Sequence, residues 1–223
     1  MSFFDSIPQP PRPEPERWQR PAWMRPDAVI PGSVPAEVLV VRTDQVAVAV
    51  GSVCAYPNGF EFTVHVRLRL ATEASWPGHS DVFQRPRPGA GEDGSQLRLG
   101  VLYADGRRAA TTGGHWLPPG DAGDEYLVLR QGGGGGSSHG CDWDFWVHPL
   151  PPGGPVIMVT SWLEHGIAES QTELDGAAIL AAAGRAVTLW PEEPDSERGG
   201  SWRSQTITVA HSRAEAEPDE PTS

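Results

Sequence analysis

At 223 residues the chain has room for one domain with tails or for two small domains. Its 17 basic residues, all arginine, face 29 acidic ones for a formal net charge of −12. That acid excess excludes a general nucleic-acid binder, which needs surplus positive charge to neutralise phosphates, and it opposes adsorption to anionic membranes.

The first 35 residues hold nine prolines, with PQPPRPEPE at their centre. Proline lacks the N–H of an inner strand and breaks helices, so this stretch is predicted to be a disordered, polyproline-like arm. Trp18 and Trp23 are unusual in a linker, and the second half of the arm is expected to pack along the domain. The opening MSFFDSIPQPPRPEPERW has no basic stretch leading into an apolar one. No later run approaches the ~20 apolar residues of a membrane helix. The expected location is cytoplasmic, with Cys54 and Cys141 as free thiols in a reducing medium.

From Glu37 the pattern takes a period of two. EVLVVRT and QVAVAVGSVCAY read as strands split at Thr43-Asp44, and a Pro-Asn-Gly turn leads into GFEFTVHVRLRL. There Phe60, Phe62, Val64, Val66, Leu68 and Leu70 alternate with Glu61, Thr63, His65, Arg67 and Arg69, one face for a core and one for water. Residues 71–95 are rich in Pro, Gly and acid and are predicted to be a long loop. Further strands are expected at QLRLGVLYA, EYLVLRQ, CDWDFWVHPL, VIMVTSWLE and ESQTELD. Asp175 is placed to cap a helix over 176–190 that Pro191 stops, with Ile179, Leu180, Ala183, Val187 and Trp190 as its apolar stripe. Residues 192–223 carry eight acids against three arginines and are predicted to be a removable, disordered tail, with SQTITVA at 204–210 as the one segment able to add a strand. The sum is an antiparallel β-sandwich over 36–191 with one C-terminal helix packed on one sheet.

Three stretches, RTDQVAVAVGSVCAYPNGFEFTVHVRLR, the glycine run before DWDFWVHPLPPGGP, and SWLEHGIAESQTELDGAAILAAAGRAVTLWP, resemble a family of uncharacterised actinobacterial proteins over about residues 15–191. The resemblance implies the domain boundaries and an origin in a GC-rich genome. The absence of lysine and the single asparagine, Asn58, fit that origin. It implies no catalytic residue.

The candidate chemistry clusters at QGGGGGSSHGCDWDFWVH. Gly132, Gly133, Gly134, Gly135 and Gly136 are followed by no lysine and no helix, so they do not make a phosphate loop. They are predicted to be a mobile connection between strands 125–131 and 141–148 that admits a partner to the sheet edge beside it. On the next strand Asp142, Asp144, Trp146 and His148 share a face, opposite Trp143, Phe145 and Val147. Two carboxylates ~7 Å apart suit acid/base work on a glycosidic bond, so one alternative is a hydrolase using Asp142, Asp144 and His148 beneath the glycine loop. Pairing of these acids with Arg67 or Arg69 is the plainer reading. Trp146 offers a sugar platform, hence a carbohydrate-binding module, or else lies beneath the helix, which is preferred. His139, Cys141, His148, Glu164 and His165 are acceptable zinc ligands without zinc-site spacing, so no metal and no cofactor are expected. His139 and Cys141 together supply a thiolate pair but no evident oxyanion hole. The preferred function is a non-catalytic binding or adaptor module for a protein partner, with no nucleic acid and no membrane.

Overall fold

The hairpin of residues 46–68 dictates the architecture. In this computed structural model, which describes residues 20–69, 96–111, 123–137, 139–191 and the backbone of 207–209, the described residues form thirteen strands, one α-helix and a single 3-10 turn at Leu163–His165. The loop expected at 71–95, the first half of the arm with Trp18, and the tail apart from 207–209 lie outside the described residues. The strands are β1 (Val29–Ile30), β2 (Gly32–Ser33), β3 (Val38–Arg42), β4 (Val46–Tyr56), β5 (Gly59–Leu68), β6 (Arg98–Tyr103), β7 (Arg108–Ala110), β8 (Val128–Ser137), β9 (Gly140–His148), β10 (Val156–Trp162) and β11 (Ile167–Leu174). Helix α1 (Gly176–Ala183), β12 (Val187–Thr188) and β13 (Ile207–Val209) follow.

Two antiparallel sheets form the sandwich. The larger runs β13-β8-β9-β5-β4-β2, with β3 also paired to β4, and the smaller runs β11-β10-β6-β7. Strand β5 alternates as its sequence predicts: Phe60, Phe62, Val64, Val66 and Leu68 are buried, while Glu61, His65 and Arg67 keep contact with solvent. These apolar side chains share one core with Val48 and Val50 of β4, Phe145 and Val147 of β9, and Leu99, Val101, Met158 and Trp162 from the facing sheet. Period-two patterning has one physical outcome here, because a one-residue slip would turn the whole set into water.

The helix is shorter than its composition suggests. Asp175 caps it as expected, accepting from the amides of Ala177 at 2.8 Å and Ala178 at 3.2 Å, but it ends at Ala183 before Gly184. Beyond Gly184 the chain leaves the helical path because Val187 and Thr188 pair with Ile30 and Val29, and the amide of Leu189 donates to Ala28 O. The predicted stripe therefore breaks: Ile179 enters the core, with Ala182 beside it and Ala183 packed against it, whereas Leu180, Val187 and Trp190 are exposed. α1 does pack on the larger sheet as expected. Its backbone comes so close to β2 that a Cβ on Gly32 would stand 2.0 Å from Ala182 O.

Two further expectations are corrected. The glycine run is strand, not loop: Gly134, Gly135 and Gly136 pair with Trp143, Asp142 and Cys141 in the β8–β9 hairpin. Trp143 accounts for one glycine of the run, Gly134. Its indole lies where a Cβ on Gly134 would stand, 2.4 Å from the ring, so only a residue without a side chain fits across from it. The tail is not wholly free either: Ile207, Thr208 and Val209 pair with Arg130, Leu129 and Val128 as the outermost strand of the larger sheet. The segment that pairs is a short β-branched stretch within an otherwise acidic tail, and backbone pairing along an open edge suffices to dock it.

Candidate functional site

Strand register sets the outer face of the larger sheet. Glu61, Thr63, His65 and Arg67 of β5 stand opposite Trp146, Asp144, Asp142 and Gly140 of β9. Glu61, Thr63 and His65 thus each meet a polar or aromatic neighbour, and Arg67, opposite a glycine, reaches across to Asp142. Asp142 accepts from His65 Nδ1 at 2.8 Å and from both Nη atoms of Arg67, at 2.6 and 3.2 Å. The guanidinium and the imidazole hold the Asp142 carboxyl below its usual range. Asp144 accepts from Thr63 Oγ1 at 2.8 Å. Pairing with Arg67, the plainer of the two sequence readings of this acid pair, is the one observed for Asp142.

A strap formed by residues 20–27 crosses the far end of this face. Asn58, the one asparagine, sits in the Pro-Asn-Gly turn between β4 and β5, and its Nδ2 donates to Ala22 O and Met24 O, both at 2.8 Å. Trp146 Nε1 donates to Trp23 O at 2.8 Å. Arg25 pairs with Glu61 at 2.6 Å, Glu61 also accepts from the Tyr56 hydroxyl at 2.7 Å, and Arg20 pairs with Asp27. Burial and the Glu61 carboxylate raise the Tyr56 hydroxyl well above its ordinary pKa, so it stays a donor. Trp23 is buried in this contact, in line with the expectation that the second half of the arm packs on the domain.

The strap corrects the reading of Trp146. Its ring is covered by the strap and by the edge of Tyr56, 5.5 Å away at 78°, and not by the helix. With 5% of its surface exposed it presents no face to a sugar. The proposed acid–base group also comes apart. His148 lies six residues along β9 from Asp142, ~20 Å at strand rise, and is buried with its Nδ1–H donating to Asn58 O at 2.7 Å. Asp142, Asp144 and His148 therefore do not converge. Cys141 is buried, its thiol pushed up to about 11 by burial, while His139 is exposed, so no thiolate pair forms. Cys54 and Cys141 are both free thiols. Among the described residues no group of three or more His, Cys, Asp or Glu is placed to hold a metal ion, and no helix is long and apolar enough to cross a membrane.

What the face does contain is a cleft of about 240 Å³ between the strap and the β8–β9 hairpin. Arg20, Arg25 and Arg130 line it, together with Asp27, Glu61 and Asp144, over a floor of Gly132 and Gly133. A shallower depression lies further along the hairpin, bounded by Arg67, Asp142, His139 and Gly135. The sequence reading named the glycines and Asp144 but missed Arg20, Arg25, Glu61 and Arg130. Arginines and acids interleaved with the tryptophans of a proline-rich arm were the available signal, since an arm that must neutralise its own charges has to dock where partners exist.

Two histidines bear on pH. His148 and His165 are both lowered from their ordinary pKa, first by burial. Below the unfolded value of about 6.5 the unfolded chain then binds protons that the folded chain refuses. The folded state is fully favoured above that pH and loses stability as pH falls towards the depressed folded values. The melting temperature is expected to hold level near neutrality and to fall from about pH 6.5 downward, less steeply for His148→Gln. A decline beginning only below about pH 4 would assign acid sensitivity to carboxylates instead.

The chain matches no protein-family model, no curated protein and no solved structure, so geometry alone carries the functional reading.

Proposed function

We propose that the protein is a non-catalytic cytoplasmic binding module that takes an extended segment of a protein partner along the outer edge of β8. One observation carries this reading. β8 extends over ten residues, yet β13 pairs only with Val128, Leu129 and Arg130, and from Gln131 to Ser137 no further strand lies beside that edge among the described residues. An edge of this kind presents a row of N–H and C=O groups, the template used in recognition by strand addition. Glycine keeps the approach clear: a Cβ at Gly133 or Gly135 would meet nothing within 4 Å. Natural edges are commonly guarded by charge, and this one carries none between Gln131 and Ser137.

The reading is favoured over a hydrolase by the engagement of Asp142 with Arg67 and His65 and by the distance of His148 along β9, and over a carbohydrate-binding module by the cover on Trp146. The experiment is selection of displayed extended peptides against the full chain, followed by amide-shift mapping of the bound complex. Binding is expected to move the Gln131–Ser137 amides first and to leave β10 and β11 unchanged. Peptides that map to the smaller sheet, or a selection that enriches none, would sink the proposal.

A further inference from the structure

The last strand of the chain bears directly on the β8 edge. β13 lies antiparallel to β8, with Ile207, Thr208 and Val209 opposite Arg130, Leu129 and Val128. Residue numbers therefore rise along β13 as they fall along β8. Traced backwards from Ile207, the direction of β13 leads past Arg130 to Gln131, the first residue of the open edge. The occupied and open parts of β8 are one continuous edge, and β13 points into its open part. It also approaches β7 of the smaller sheet, so more than the β8 ladder holds it in place. The chemistry of this segment suits the edge. Thr206, Ile207, Thr208 and Val209 are consecutive β-branched residues, and SQTITVA, residues 204–210, carries no charge. The edge from Gln131 to Ser137 carries none either, and the acids of residues 192–223 lie on either side of that uncharged window.

We propose that β13 is an intramolecular competitor for the partner site: the chain's own tail occupies one end of the β8 edge, and a partner strand must displace it to pair along the whole of that edge. The inference rests on the edge-pairing reading and deepens it in two respects. It supplies the regulation of the site, and it supplies the class of partner. That partner is an uncharged extended segment rich in β-branched residues, running antiparallel to β8, because this is what the edge already accepts from its own chain. Covalent attachment makes the tail an effective competitor, since a short tether holds a strand at a local concentration on the order of millimolar. Three paired residues nevertheless make few ladder bonds, and β8 offers ten. A partner strand that pairs over more of β8 therefore wins the exchange.

The probe is the synthetic peptide SQTITVA, titrated into the isotopically labelled full chain. The amides of residues 128–137 and those of Ile207, Thr208 and Val209 are followed together. The peptide should shift the β8 amides and, in step, move the three tail amides to unpaired positions. The second arm is the full chain carrying Ile207→Pro together with Thr208→Pro. Successive amides of a strand point to opposite sides, so this pair removes whichever of the two faces β8. The main core lies between Val34 and Ala182, so the variant should keep its fold. It should bind the peptide about tenfold or more tightly than the unmodified chain, because the tethered competitor is gone. Saturation of β8 with the tail amides unmoved overturns the proposal, as does equal affinity in the two chains or the absence of binding to either. A dimer that the proline pair abolishes would give β13 to a second copy and overturn the intramolecular assignment. The two readings fail separately. Displayed peptides that map to Gln131–Ser137 and bind both chains equally keep the edge and remove the competitor, whereas release of the tail by SQTITVA, with no displayed peptide mapping to that edge, keeps the competitor and removes the partner.

Discussion

Replacing Phe62 by Ala is expected to lower the unfolding free energy by about 3–5 kcal/mol, the range for deleting a buried phenyl group. Phe62 is 1% exposed and lies in the middle of β5, the strand with paired neighbours on both sides. Its ring stacks on Phe145 of the adjacent strand with centroids 5.6 Å apart and planes 16° from parallel, and Phe60 stands 6.1 Å away on the other side. Truncation loses both the transfer free energy of the ring and the contacts around the cavity it leaves. Urea unfolding should show a lower midpoint with an unchanged slope. A loss under about 1 kcal/mol, typical of surface substitutions, would contradict the burial of this face.

The second large effect separates glycines that look identical in sequence. Gly134→Ala should destabilise the fold by about 1–3 kcal/mol, the usual cost of forcing extra volume into a packed site. Its Cβ would stand 2.4 Å from the Trp143 ring and 2.6 Å from Asp142 O, and the latter is backbone of the paired strand that cannot swing aside. Gly133→Ala and Gly135→Ala meet open space and should be neutral, or stabilising by about 0.4–1 kcal/mol through the reduced freedom of the unfolded chain. Melting curves of the three single variants decide the matter. Equal, small effects at all three positions are the signature of an unstructured connection and would restore the loop reading of the run.

These two experiments probe different kinds of legibility. The alternation from Phe60 to Leu68 declared strand, core face and polar face at once, since a period of two leaves a side chain only two directions. Asp175 as an N-cap and the Pro-Asn-Gly turn were equally plain, being local hydrogen-bonding and dihedral preferences. The glycine run had no such signal. Without side chains it carries no periodicity, and the one position in it that excludes a side chain, Gly134, is set by Trp143, a residue reached only across the hairpin.

The candidate site was hidden for the same reason. Asp144 and the glycines were visible as a cluster, but Arg25 and Glu61, which line the same cleft, lie more than seventy residues away in sequence, and the turn that clasps the strap is set by Asn58 reaching two carbonyls of residues 22 and 24. Trp146 shows how far a face assignment goes: the sequence grouped it correctly with Asp142 and Asp144 but put the helix over it, and only the docked strap decided what buries that side. The amino-acid sequence by itself determined the antiparallel sandwich, the capped start of the helix and the faces of β5 and β9, because these follow from local geometry and from the burial of apolar side chains. Tertiary structure alone decided where the strap lies, where the helix stops, that five glycines form a strand and that three arginines meet over it. Each of these depends on a contact between segments distant in the chain, whose hydrogen bonds and charges exist only after the sheets have closed.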